Sequence, residues 1–162
     1  MLYEIKLKAT SPWLGDIRRG KDKIRRFQRG HTADILAFDL PRLQWSFKEA
    51  CEALHLNHVN TKVIRMEEGF VAPKLVSYRR RYNHQKKKEQ QEDFFEAIRE
   101  GTHLTMQVLV TQAPPDTHDH LIPPDQNELE QIFRFIGKML GLSPWGGHFG
   151  YGRFEVLELK AV

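Results

Sequence analysis

Cysteine is almost absent from this chain. Cys51 is the only one among 162 residues, which excludes an internal disulfide framework and fits a reducing, cytoplasmic setting. Cys51 falls on the apolar side of a predicted helix, where packing rather than chemistry is its expected role. No apolar run approaches the roughly 20 residues that a membrane helix needs, so no membrane partner is expected. The opening stretch Met1 to Lys8 alternates like a strand and does not read as a signal peptide. Motifs of nucleotide and hydrolytic enzymes are missing as well. There is no phosphate-binding P-loop, no dinucleotide glycine pattern on a first strand, no HExxH helix and no serine elbow. Asp116, His118, Asp119 and His120 come nearest to a metal cluster, but a structural zinc site wants four ligands and usually a paired motif. No metal and no cofactor are expected.

Charge is what the chain has in unusual distribution. The net charge is +4, but the cations are segregated. The segment from Ile17 to His31 carries seven: Arg18, Arg19, Lys21, Lys23, Arg25, Arg26 and Arg29, against the single acid Asp22. Arg79, Arg80, Arg81, Lys86, Lys87 and Lys88 form a second run with no acid inside it. Those two runs hold 13 of the 25 lysines and arginines, and the rest of the chain is net acidic by 8. Like charges this dense repel one another, so both runs want solvent or a polyanion, and single-stranded nucleic acid is the expected partner. With few apolar residues to bury, both runs are expected to be mobile without ligand. Phe27, Tyr78 and Tyr82 interleave with the cations and could stack on bases.

The length suits a single domain, residues 1–162. Tyr3, Ile5, Leu7 and Ala9 mark a half-buried strand. The basic segment up to Thr32 reads as a long loop, with a helical turn near Lys21 to Phe27. Ser46 and Glu49 give a capping-box pattern that predicts a first helix over Phe47 to Leu56. Val59 to Met66 and Phe70 to Tyr78 read as two strands around a turn at Glu67, Glu68 and Gly69. Glu89 to Glu100 reads as a short helix with Phe94, Phe95 and Ile98 inward, stopped by Gly101. Leu104 to Val110 alternates strictly as a strand. Asp125 and Glu128 form a second capping box ahead of a final helix bearing Leu129, Ile132, Phe133, Ile136 and Leu140. A last strand follows from about Tyr151 to Leu159. The expected class is α+β: a ferredoxin-like, RRM-like βαββαβ order with an extra short helix and long basic loops. The RRM binds RNA across its free sheet face, yet aromatic residues of that kind are not evident in the central strands.

Five of the 11 glycines lie between Gly141 and Gly152, between the final helix and the last strand. Glycine admits positive φ and lets another backbone or a ligand come close. Arg153 follows directly, and a cation beside open backbone N–H groups suits a phosphate. Ile136-Gly-Lys138, the glycine turn, and Gly150-Tyr-Gly-Arg-Phe-Glu-Val156 together resemble the C-terminal G-rich loop of the RAMP superfamily. That family comprises RNA-binding proteins of CRISPR systems, both guide-binding backbone subunits and guide-processing endoribonucleases. Ser11-Pro-Trp-Leu14 after the first strand also looks like small phage-encoded relatives of the backbone subunits. The resemblance implies a ferredoxin-like fold and places Gly146, Gly147, Gly150, Gly152 and Arg153 at the RNA. It implies assembly along the strand or within a larger ribonucleoprotein. No catalytic residue is required by that reading. The endoribonuclease alternative would use a histidine as acid or base, from His31, His84 or His148. A third reading is a phage structural or interaction protein whose basic runs meet an acidic partner.

Overall fold

The computed structural model describes residues 1–18, 20–30, 35–37, 40–66, 70–71, 73–84, 86, 88–112, 120–142 and 150–162, with the backbone alone of Leu40 and His84. Among the described residues, ten strands and two α-helices follow one another. They are β1 (Leu2–Ala9), β2 (Trp13–Leu14), β3 (Ile24–Arg25), β4 (Ile35–Leu36), α1 (Leu40–Ala53), β5 (Ile64–Arg65) and β6 (Phe70–Val71). Then come β7 (Val76–His84), β8 (Glu89–Ile98), β9 (His103–Val110), α2 (Gln126–Phe135) and β10 (Phe154–Ala161). The chain is α+β with mostly antiparallel sheets, consistent with a ferredoxin-like arrangement.

The main sheet runs in the order β10-β1-β9-β6-β4, with β5 also paired to β9. β1 is antiparallel to both β9 and β10, as the element order predicts. Alternation places Ile5, Leu7, Met106, Val108 and Val156 in the core and Lys6, Lys8, Thr105, Gln107, Glu158 and Lys160 outside. Both helices join that core. Phe47 of α1 meets Phe133 of α2 edge to face, ring centroids 5.6 Å apart, over the apolar face of the sheet. The other face holds no exposed Phe, Tyr or Trp on β1, β9 or β10. Its charges neutralise each other, Lys6 with Glu158 at 3.1 Å and Lys160 with Glu4 and Glu158 at 3.9 Å. The Lys6 hydrogen bond, with Lys160 nearby, holds the Glu158 carboxyl below its ordinary range.

The capping box at Asp125 is formed as expected. The Glu128 N–H donates to Asp125 Oδ1 at 2.8 Å, and the Asp125 N–H donates to Glu128 Oε1 at 3.1 Å. α2 buries Leu129, Ile132 and Phe133. Its last turn, Ile136–Leu140, widens into a π-helical turn. Gly137 makes that turn possible: a Cβ there would stand 2.3 Å from the Phe154 carbonyl oxygen of β10.

Five expectations are corrected. Ser46 is not a cap. α1 begins at Leu40, and Ser46 is a buried mid-helix residue whose hydroxyl donates to the Arg42 carbonyl. Leu43, Phe47, Ala50 and Cys51 form the buried face, so the apolar stripe starts a turn before the false cap. Burial, with the Glu128 charge adding to it, pushes the Cys51 thiol up to about 11, which suits packing over chemistry. Val59 to Met66 is a strand only at Ile64–Arg65. Thr61–Val63 is a 3-10 turn, capped by Asn60 Oδ1 accepting from the Lys62 N–H. Phe70 to Tyr78 divides near Pro73 into β6 and β7, which belong to different sheets. The turn expected at Glu67 to Gly69 lies outside the described residues.

The largest correction is Glu89 to Glu100, a ten-residue strand and not a helix. β8 is the centre of the second sheet, with β7 along one side and β2 and β3 along the other. Its nine register pairs with β7 set Arg80 opposite Asp93 and Arg81 opposite Glu92. Cross-strand charge pairing and the burial of Phe95, Ala97 and Ile98 outweigh the helix preference of Glu and Gln. Gly101 therefore stops no helix. It takes φ +87° in the turn between β8 and β9. Nor is the first basic segment all loop. β3 adds parallel to β8, and Ile17 bridges Arg26.

Candidate nucleic-acid interface

The second basic run lies along β7, so alternation sorts it onto two faces. Tyr78, Arg80 and Tyr82 share one face, and the Arg80 guanidinium lies 5.3 Å from the Tyr82 ring centroid. Arg79 and Arg81 point to the other and are exposed, Arg81 Nε meeting Glu92 at 3.0 Å. Lys86 and Lys88 are exposed in the connecting turn, where Lys88 takes φ +50°. Lys87, and the side chain of His84, lie outside the described residues.

The first basic segment separates into two groups. Arg25, Arg26 and Arg29 are tied to acids of the same chain. Arg25 faces Asp93 at 3.9 Å and lies over the Phe95 ring at 5.6 Å. Arg26 meets Asp22 at 2.9 Å and Glu96 at 3.6 Å, and Arg29 meets Glu96 at 2.9 Å. Glu96 also accepts the Phe27 N–H, so one carboxylate of β8 holds Arg26, Phe27 and Arg29. The Ile24 N–H first, then Arg26, holds the Asp22 carboxyl below its usual range. Arg18, Lys21 and Lys23 are the exposed group. They border a depression of about 390 Å³ shared with Glu92, Asp93 and Phe94. Arg19 and His31 lie outside the described residues.

The two stretches that carry the sequence resemblance meet in space. The Gly152 N–H donates to the Pro12 carbonyl, the Arg153 N–H to Ser11 Oγ, and Trp13 Nε1–H to the Arg153 carbonyl. Trp13 is itself buried between Phe70 and Phe154, at 5.7 and 5.8 Å. Gly150 and Gly152 take φ of +75° and +73°, as expected for a turn that needs glycine. The backbone N–H groups of Gly152 and Arg153 are thus bonded within the chain and do not face a ligand. The Arg153 guanidinium donates to the Lys138 carbonyl on the π-helical turn. Gly146, Gly147 and His148 lie outside the described residues, as do Asp116, His118 and Asp119. No group of three metal-ligating side chains occurs among the described residues.

Tyr151 joins the glycine turn to the hairpin. Its hydroxyl is 3.0 Å from that of Tyr78, and the rings meet edge to face at 5.7 Å. The Tyr78 face of β7 is therefore contiguous with residues 150–153, while Arg79 and Arg81 lie on the opposite face. Burial first, then the hydrogen bond with Tyr78, pushes the Tyr151 hydroxyl up to about 12. An unfolded phenol ionises near ~10, so the stability that neutral Tyr151 contributes is complete below that pH and declines between about 10 and 12. A phenolate absorbance titration should show one of the four tyrosines ionising late, near about 12, and Tyr78→Phe should bring it down. Simultaneous titration of all four would contradict the contact.

Against known proteins, the fold speaks more than the sequence. No family profile matches the chain, and no curated protein does. Among solved structures, 31 chains match. One belongs to the Type III-B Cmr-beta complex bound to cognate target RNA, determined by cryo-EM. It superposes with a TM-score of 0.64 at 9% identity, over 98% of this chain and 59% of its own length. The likeness is one of fold. This chain spans little more than half of that neighbour. No helix among the described residues is long and apolar enough to cross a membrane.

Sequence reading missed Tyr151, Lys138, Arg134, Thr10 and Ser11, which surround the glycine turn. Lys138, Tyr151 and Ser11 lay within the stretches that carried the resemblance but were assigned no role, because a π-helical turn leaves no periodicity of its own.

Proposed function

We propose that this chain is a ferredoxin-like, RAMP-type protein that binds single-stranded nucleic acid, RNA in preference to DNA, without sequence specificity. The observation that carries this reading is the basic hairpin, whose exposed Arg79, Arg81, Lys86 and Lys88 present a run of cations, while on its other face Tyr78 meets Tyr151 of the glycine turn. The sheet order β10-β1-β9-β5 is that of a ferredoxin-like unit, and the Cmr-beta neighbour is a chain of an RNA-bound complex. Arg79, Arg81, Lys86 and Lys88 hold phosphates along the hairpin, and Arg18, Lys21 and Lys23 extend the track. Contacts to phosphate position a strand without reading it, which is why no sequence preference is expected. Tyr82, backed by Arg80, offers a stacking face worth about 1–3 kcal/mol per base. Arg25, Arg26 and Arg29 are left out, because Asp93, Asp22 and Glu96 already hold them. The paired charges of the open sheet face argue against an RRM-style platform there. Assembly of copies along the strand, or within a larger ribonucleoprotein, fits a heterologous interface.

Fluorescence anisotropy with labelled single-stranded RNA, single-stranded DNA and duplex tests this. Log affinity should fall linearly with log salt, at roughly 0.7 per phosphate contact on a single strand. RNA should remain intact on a gel. Affinity indifferent to salt would defeat the phosphate assignment. Cleavage abolished by replacing His31, His84 or His148 would favour the endoribonuclease reading instead.

A further inference from the structure

A cavity of about 620 Å³ lies between the π-helical turn, the start of β10 and Thr10–Ser11. Its walls include Gly137, Phe154 and Val156, and Arg134, Lys138 and Arg153 bring three cations to it. The volume falls within the range of about 300–1,000 Å³ that small-molecule sites occupy. We infer that this cavity takes the terminal nucleotide of a bound RNA strand, with its phosphate on Lys138.

The geometry separates this site from the hairpin. The hairpin surface is open along its length and suits a strand passing through. The cavity is bounded by three chain segments and suits a chain end. Gly137 lets the helix approach β10 closely enough to form one wall, since a Cβ would strike the Phe154 carbonyl at 2.3 Å. Among the described residues, the place of a Cβ at Gly150, which lines the cavity, meets nothing within 4 Å. Among the cations, Arg134 is engaged with Glu130 at 2.7 Å, and Arg153 is anchored on the Lys138 carbonyl. Lys138 is exposed, and its ammonium is a compact charge for a terminal phosphate. Ser11 Oγ accepts from the Arg153 N–H, which leaves its own proton to donate. Thr10, Ser11 and Glu155 line the same cavity, and hydroxyl and carboxylate groups are the partners that a ribose diol takes.

This inference rests on the RNA-binding reading, and a free ribonucleoside monophosphate presents the same groups as a strand end. Three oligoribonucleotides of one sequence, ending in a 5′-phosphate, in a 3′-phosphate or in hydroxyls only, separate the cases by anisotropy. One phosphate-ended strand should bind about five- to tenfold more tightly than the hydroxyl-ended strand, the effect of one charge-assisted contact. Lys138→Ala should erase that advantage and leave the hydroxyl-ended affinity and its salt slope intact. The Lys138 main chain keeps its bond to Arg153 in this variant, and melting curves with Lys138→Gln as a second variant check the fold. Equal binding of all three strands, with salt dependence retained, would overturn the cavity assignment and spare the binding reading. If no strand binds, AMP alone is titrated by thermal shift. Protection lost in Lys138→Ala would assign the cavity to free nucleotide, and no protection would overturn both.

Discussion

Arg79→Ala with Arg81→Ala should weaken single-stranded RNA binding about 10- to 30-fold, evenly across sequences. Two phosphate contacts of about 1 kcal/mol each give that loss. The salt slope should flatten by roughly 1.4, at 0.7 per contact. The fold should survive, because both side chains are exposed and the Arg81–Glu92 pair is a surface pair of little stability. Arg29→Ala is the matched control. Arg29 meets Glu96, which also holds Arg26 and the Phe27 N–H, so its loss should lower the melting temperature and leave the salt slope unchanged. Anisotropy over a salt series, beside thermal melts, reads both results. A flattened slope in the Arg29 variant, or none in the double variant, would reverse the assignment of the two basic groups.

Gly141→Ala should cost about 3 kcal/mol or more of stability. Gly141 takes φ 72° and ψ 161°, a region that side chains avoid, while its N–H donates to the Ile136 carbonyl to close the π-helical turn. A Cβ would stand 2.3 Å from the Tyr151 carbonyl oxygen and 3.1 Å from the Gly152 carbonyl carbon. Both are backbone atoms of the glycine turn, so neither yields without moving Tyr151 and its contact with Tyr78. Gly150→Ala supplies the scale. It shares the positive φ, at +75°, but its Cβ would meet nothing within 4 Å among the described residues, so backbone strain of about 1–2 kcal/mol is the expected cost. Urea unfolding of the two variants should show the larger loss at Gly141. The opposite order would mean that the turn tolerates movement and that its glycines serve something other than close packing.

The parts of the fold legible in the sequence are those fixed by local pattern. α2 announces itself through the Asp125–Glu128 box and its apolar stripe. β1 and β9 do so through strict alternation, whereas β10 slips its register against β1 at Leu157–Glu158. β8 is illegible for a physical reason. Glu89 to Glu92 favour helix locally, and adjacent Phe94 and Phe95 fit either period. Only pairing with β7, which sets Arg81 against Glu92 and Tyr78 against Phe95, makes the segment a strand. α1 misled through Ser46, whose capping pattern is an accident of spacing inside a longer helix.

The site divides along the same line. Charge segregation in the sequence located both basic runs. It could not show which cations meet acids of the same chain, because Glu96 lies 67 residues from Arg29. Nor could spacing bring Tyr151 to Tyr78, 73 residues away, the contact that joins the glycine turn to one face of the hairpin.

Photo-crosslinking to 4-thiouridine RNA, with the adducts mapped by mass spectrometry, tests the central claim most directly. Adducts should fall on peptides from residues 76–84 and 150–153, with Tyr82 prominent, and should vanish at high salt. Adducts confined to the open sheet face around Lys6, Thr105 and Lys160, or none under conditions where a known RNA-binding protein crosslinks, would contradict the account.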